Sequence, residues 1–178
     1  MSDLIEKIIQ KVGADMDPLK KIMNIIPGFK GYIHRQSRRD SDKLLRDTVA
    51  MRFEEQWQRI SALQRDFISQ GQIAYVDDLE AAAIKLRTFT DRIRRATRGY
   101  SGLFDAVKIN EDELNKIYQY DAAMLELAEE VGRAVDNVEA SIGTDGLAAA
   151  IRHLVSTAQD CIQVYDRRSE VVFSATEA

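Results

Sequence analysis

Only two prolines occur in this chain of 178 residues, Pro18 and Pro27, and both lie near its start. Proline removes a backbone donor and clashes with the preceding helical turn, so from residue 28 onward nothing forbids helices of any length. The apolar residues use that freedom. Between Tyr32 and Gly71, Leu45, Val49, Phe53, Trp57, Ile60, Leu63 and Phe67 recur at steps of three and four, the period of one helix face. A second stripe, over 74–98, holds Val76, Leu79, Ala83, Leu86, Thr90 and Ile93, with Gly99 as its left-handed stop. Asn110 and Glu113 form a variant capping box that opens a third long helix bearing Leu114, Ile117, Met124, Ala128, Val131, Val135 and Val138. Beyond Gly143, Thr144 or Asp145 caps a fourth, with Leu147, Ile151, Leu154, Ala158, Ile162, Tyr165 and Val172 on one side.

Two short helices precede these. One runs from the N-cap Ser2 through Leu4, Ile5, Ile8, Ile9 and Val12 to a stop at Gly13. The other starts at Asp17-Pro18, cap and first helical residue, and ends before Pro27. Four long helices joined by short connections must each bury a stripe. The expected fold is therefore all-α, an antiparallel four-helix bundle with two short N-terminal helices. Residues 1–26 form an appendage, 27–173 the bundle and 174–178 a flexible tail.

A chain of this length buries about 70% of its unfolded surface without needing staples or a cofactor. Cys161 is the single cysteine, so an intrachain disulfide and a Cys-type zinc site are excluded, and a reducing, cytoplasmic home is expected. The N-terminus has no secretory pattern, and no stretch approaches 18 uncharged apolar residues, so no transmembrane segment is expected. Charge is unevenly spread. Residues 1–98 hold 19 basic and 14 acidic residues, whereas 99–178 hold 6 and 15. Either the halves attract each other, or the basic half faces an anionic partner.

No catalytic or metal signature emerges. A di-metal bundle needs Glu-x-x-His, yet Gly31 and Ala150 stand three residues before His34 and His153. Cys161 lies eight residues from His153, about 12 Å along a helix, too far for a nucleophile–base pair. Asp121 is the sharper anomaly, because it occupies a step of the stripe that calls for an apolar side chain. As a buried carboxylate it needs an Arg or loop amides to pair with, or else it walls a polar ligand pocket. Arg35, Arg39, Lys43 and Arg46 share one helix face and are candidates for anion binding; Arg87, Arg94, Arg95 and Arg98 form a second basic cluster. The interleaved Asp40, Asp42, Asp47 and Asp91 support intrahelical pairs, so a solvated or internally paired face is the first reading and an anionic membrane surface an alternative, while the lack of aromatic interleaving argues against nucleic acid. Ile5, Ile8 and Ile9 make the first helix amphipathic, suited to docking on protein, in this chain or another, or to lying on a membrane. Tyr100, Leu103 and Phe104, in the loop around Gly99 and Gly102, are further contact candidates; that loop lacks the lysine of a phosphate-binding loop.

The segments Ile26-Pro-Gly-Phe-Lys-Gly-Tyr32 and Gly99-Tyr-Ser-Gly-Leu-Phe-Asp-Ala-Val-Lys108 resemble a group of uncharacterised bacterial helical proteins over residues 26–140. The resemblance implies a bacterial, cytoplasmic protein with no known activity or catalytic residues, and an association with stomatin-like partners. The first 25 residues are also loosely similar to the N-terminal helix of phage-shock membrane-remodelling proteins. On the residues themselves, the function expected is a non-enzymatic interaction or scaffold protein that binds a protein partner or itself, with no cofactor. A peripheral membrane binder and a ligand-binding bundle centred on Asp121 are the alternatives.

Overall fold

The computed structural model describes residues 3–15, 17–29, 38–95 and 111–177, with the side chains of 14, 15, 38–42, 111, 113, 114 and 172–177 outside that description. Those residues form six α-helices and one 3-10 turn, so the all-α expectation holds. The helices are α1 (Asp3–Asp15), α2 (Pro18–Ile25), α3 (Arg38–Ser69), α4 (Val76–Arg95), α5 (Glu111–Ala140) and α6 (Leu147–Glu177).

Local chemistry sets most boundaries. Asp17 Oδ1 accepts the Leu19 amide at 3.0 Å and Pro18 opens α2. Gly71 takes φ +74° after α3, where the Gln72 amide reaches back to the Phe67 carbonyl at 2.8 Å. Gly143 takes φ +80° between α5 and α6, and Thr144 Oγ1 accepts the Gly146 amide at 3.2 Å. Gly13 does not stop α1, which continues to Asp15. A Cβ there would lie 3.3 Å from Gln119 Nε2 on α5, a tight contact that this flexible side chain would have to relieve. At the other end α6 extends to Glu177, through residues expected as a tail. The Asn110 cap and the Gly99 stop lie outside the described residues.

Paired side chains give the directions. Phe53 meets Phe89, Gln64 meets Glu80 and Phe67 meets Tyr75, partner numbers falling as α3 rises, so α3 and α4 form an antiparallel hairpin. Asp121 meets Arg168, and the turn at 141–146 is short, so α5 and α6 form another. Between hairpins the sense is reversed. Arg59 meets Asp136 at an offset of 77 residues, and Arg52 meets Glu129 at the same offset, which makes α3 and α5 parallel. Lys85–Gln159 and Arg92–Asp166 share an offset of 74, so α4 and α6 are parallel too. The antiparallel expectation therefore describes each hairpin, and the contacts between hairpins run in parallel.

One continuous core fills the space between them. Phe89 links three helices, its ring 4.5 Å from Phe53 and 6.0 Å from Tyr165 between centroids, in edge-on geometry. Buried Thr90 and Thr157 satisfy their hydroxyls within their own helices, on the Leu86 and His153 carbonyls at 2.9 Å each. The N-terminal helices belong to the same core: Ile5, Ile8, Val12, Ile22, Ile26 and Phe29 are all buried, with α1 and α2 seated mainly on α5.

Candidate functional site

The polar residue singled out in the third long stripe is sealed inside. Asp121 is 0% exposed and Arg168, the largest fully buried side chain, is 1% exposed. Arg168 donates Nε to Asp121 Oδ1 and Nη2 to Oδ2, the latter at 3.3 Å, in the two-pronged geometry that a guanidinium and a carboxylate share. The carboxylate thus meets an Arg, and its charge is matched within the core.

A second carboxylate ties the N-terminal helices down. Glu126 on α5 accepts from Lys21 Nζ at 2.6 Å and from Lys11 Nζ at 3.3 Å. Burial by itself pushes this carboxyl up; the bonds and charge of Lys21, then Lys11, more than reverse that and hold it below the usual glutamate value. The same polarity recurs along the contacts between hairpins. Arg59 bonds Asp136 at 2.6 Å and Glu139 at 3.0 Å, Arg52 lies 3.7 Å from Glu129, and Arg92 meets Asp166 at 2.5 Å. In each pair the base comes from the first half of the chain and the acid from the second. Among the described residues, these pairs draw the two halves of the chain together. Burial lowers the Arg59 pKa, but Asp136 and Glu139 leave it raised overall.

The other sequence candidates separate into three groups. Ile5 and Ile8 are buried and Ile9 is half-buried, so the apolar face of α1 is occupied by its own chain. Lys43 is exposed and Arg46 half-buried; Arg39 falls on α3 with its side chain outside the description. Arg35, Tyr100, Leu103 and Phe104 lie outside the described residues. Cys161 is buried, and desolvation followed by the charge of Asp160 pushes its thiol far up, leaving a protonated core group that donates to the Thr157 carbonyl at 3.3 Å. Among the described residues no group of three or more His, Cys, Asp or Glu side chains could hold a metal ion.

One surface was not anticipated. Because α3 and α5 are parallel, the α3–α4 and α5–α6 turns lie at the same end of the molecule. There Ile73 is 70% exposed and Ile68 56%, and Ile142 is also exposed. The only sequence signal was negative: Ile68 and Ile73 fall outside the stripes on either side of Gly71. No protein-family model, curated protein or solved structure matches the chain.

Proposed function

We propose that the protein is a non-enzymatic helical interaction or scaffold module of the cytoplasm, its four long helices forming a single bundle that presents the turn end to a protein partner or a second copy. The supporting observation is that three exposed isoleucines, Ile68, Ile73 and Ile142, share the turn end, whereas the other exposed large apolar residues, Met23, Leu44, Met51 and Ile84, lie away from those turns. Isolated apolar residues are ordinary on a surface, whereas several large ones brought to one end favour a contact. The pairing of Asp121 with Arg168 weighs against a ligand site at that carboxylate. Burial of Ile5, Ile8 and Val12 weighs against a first helix free to insert into lipid. Among the described residues, no helix is long and apolar enough to cross a membrane.

A photo-crosslinking residue placed at position 73, in cells that make the protein, tests the proposal. Discrete adducts should form there and not at the exposed Gln58 on α3, and Ile68→Asp should abolish them with helicity unchanged by circular dichroism. No adduct at 73, with a monomer in sedimentation velocity at every concentration, overturns it. Pelleting with anionic vesicles that is lost at high salt would favour the membrane reading instead.

A further inference from the structure

The parallel contact between α4 and α6 repeats every seven residues, at the constant offset of 74. Two rungs are bonded, Lys85 to Gln159 and Arg92 to Asp166, and the same offset relates Asp78 and Arg152, which line one groove with Lys85 and Gln159. The last rung is complete. Arg92 bonds Asp166 at 2.5 Å and stacks 4.9 Å from the centre of the Tyr165 ring, and the Tyr165 hydroxyl reaches the Arg92 carbonyl at 3.3 Å. One heptad earlier the same slot holds an amide in place of a carboxylate. Lys85, half-buried, donates to Gln159 Oε1 at 2.7 Å. Among the described residues neither Lys85 nor Arg152 forms an ion pair with a carboxylate, although Asp78 stands on the same groove.

That groove has a volume of about 450 Å³ and is lined by Asp78, Lys85, Arg152, Val155, Ser156 and Gln159. Its size falls in the range of small-molecule sites, which combine apolar walls with a few convergent polar groups. We propose that the α4–α6 groove binds a small amphiphilic monoanion, an organic carboxylate with a short apolar body. The carboxylate sits beside the Gln159 amide, accepting from the Arg152 guanidinium and from a remaining hydrogen of Lys85 Nζ. Gln159 adds an amide donor, since its oxygen is already engaged by Lys85. The apolar body lies along Val155 and the methylene stems of Lys85 and Arg152. Asp78 at the rim disfavours a second negative charge. This site is independent of the turn end proposed as the docking surface.

Octanoate is the probe, followed by amide shifts in the full chain. Shifts should be confined to 78–85 and 152–159. Lys85→Gln should weaken binding about tenfold or more, the loss expected for a hydrogen bond to a charged group. Gln159→Glu completes the rung internally and should abolish binding while raising thermal stability, so a folding defect cannot mimic the result. Octyltrimethylammonium should leave these amides unshifted. No octanoate binding by the parent, equal binding by Gln159→Glu, or shifts centred on Ile68 and Ile73 would each overturn the assignment.

Discussion

Arg168 and Arg59 bring the same guanidinium into a helix–helix contact, but into different media. Arg168 joins α5 to α6 inside the core, where Asp121 is fully buried and both charges have left water. Arg59 joins α3 to α5 at the rim, where it shares two carboxylates that solvent still reaches. A buried pair recovers little beyond its desolvation cost, yet removing one partner strands the other. A rim pair adds little and costs little to lose. The contact inside the second hairpin is therefore brittle and specific, while the contacts between hairpins are soft and numerous.

Breaking that contrast should give a graded series in urea unfolding. Arg168→Met should destabilise by about 3–5 kcal/mol, and adding Asp121→Leu should restore most of the loss, since the pair is then replaced by apolar contact. Equal damage from the single and double variants would mean that the pair is not the source of the cost. Glu126→Gln is intermediate, at about 1–2 kcal/mol, between a charged hydrogen bond and an exposed ion pair. Its pH dependence has a definite sign. The folded state holds this carboxyl below its ordinary 4.5, so the contribution is complete above that pH and is lost as pH falls through the lower folded value. The gap between parent and variant should therefore close on acidification. Arg59→Gln should cost up to about 1 kcal/mol, and less in ~1 M salt, where screening acts over about 3 Å. A cost that ignores salt would place Arg59 with the buried pair. Smallest is Gly132→Ala on α5, where a new Cβ would sit 3.5 Å from Gln56 Oε1, an ordinary contact. It should stabilise by about 0.5–1 kcal/mol through helix propensity alone, and a loss would reveal a tighter α3–α5 contact.

The same contrast explains what could be read in advance. Apolar stripes are local and periodic, so much of the buried faces of α3, α4, α5 and α6 was legible, as were the Asp17-Pro18 start and the Gly71 and Gly143 stops, whereas buried Phe89, Leu125 and Val164 fall beside the stripes. Asp121 was visible as a break in a stripe. Its partner was also marked, because the α6 stripe passes from Tyr165 to Val172 and Arg168 stands on the omitted step. Joining two such breaks 47 residues apart needs the hairpin register, which no local pattern carries. The charge imbalance between halves was legible as a number, but which bases meet which acids required the parallel offsets. Gly13 was misleading as a stop, because a glycine within a helix and one that ends it are the same letter, and α1 runs on to Asp15. Ile68 sits on α3 off its apolar stripe, and Ile73 and Ile142 lie in the connections, so the stripes gave no guide to them.

The parallel stacking has a consequence for symmetry. Along the α3–α5 contact the first hairpin offers bases and meets acids, so the contact is heterologous and the two surfaces match each other rather than themselves. A two-fold dimer built by pairing like faces would set base against base. Two opened copies can reseat all of these contacts by trading hairpins, each α3–α4 unit taking the α5–α6 unit of its neighbour, a domain-swapped dimer with the ion pairs of the monomer.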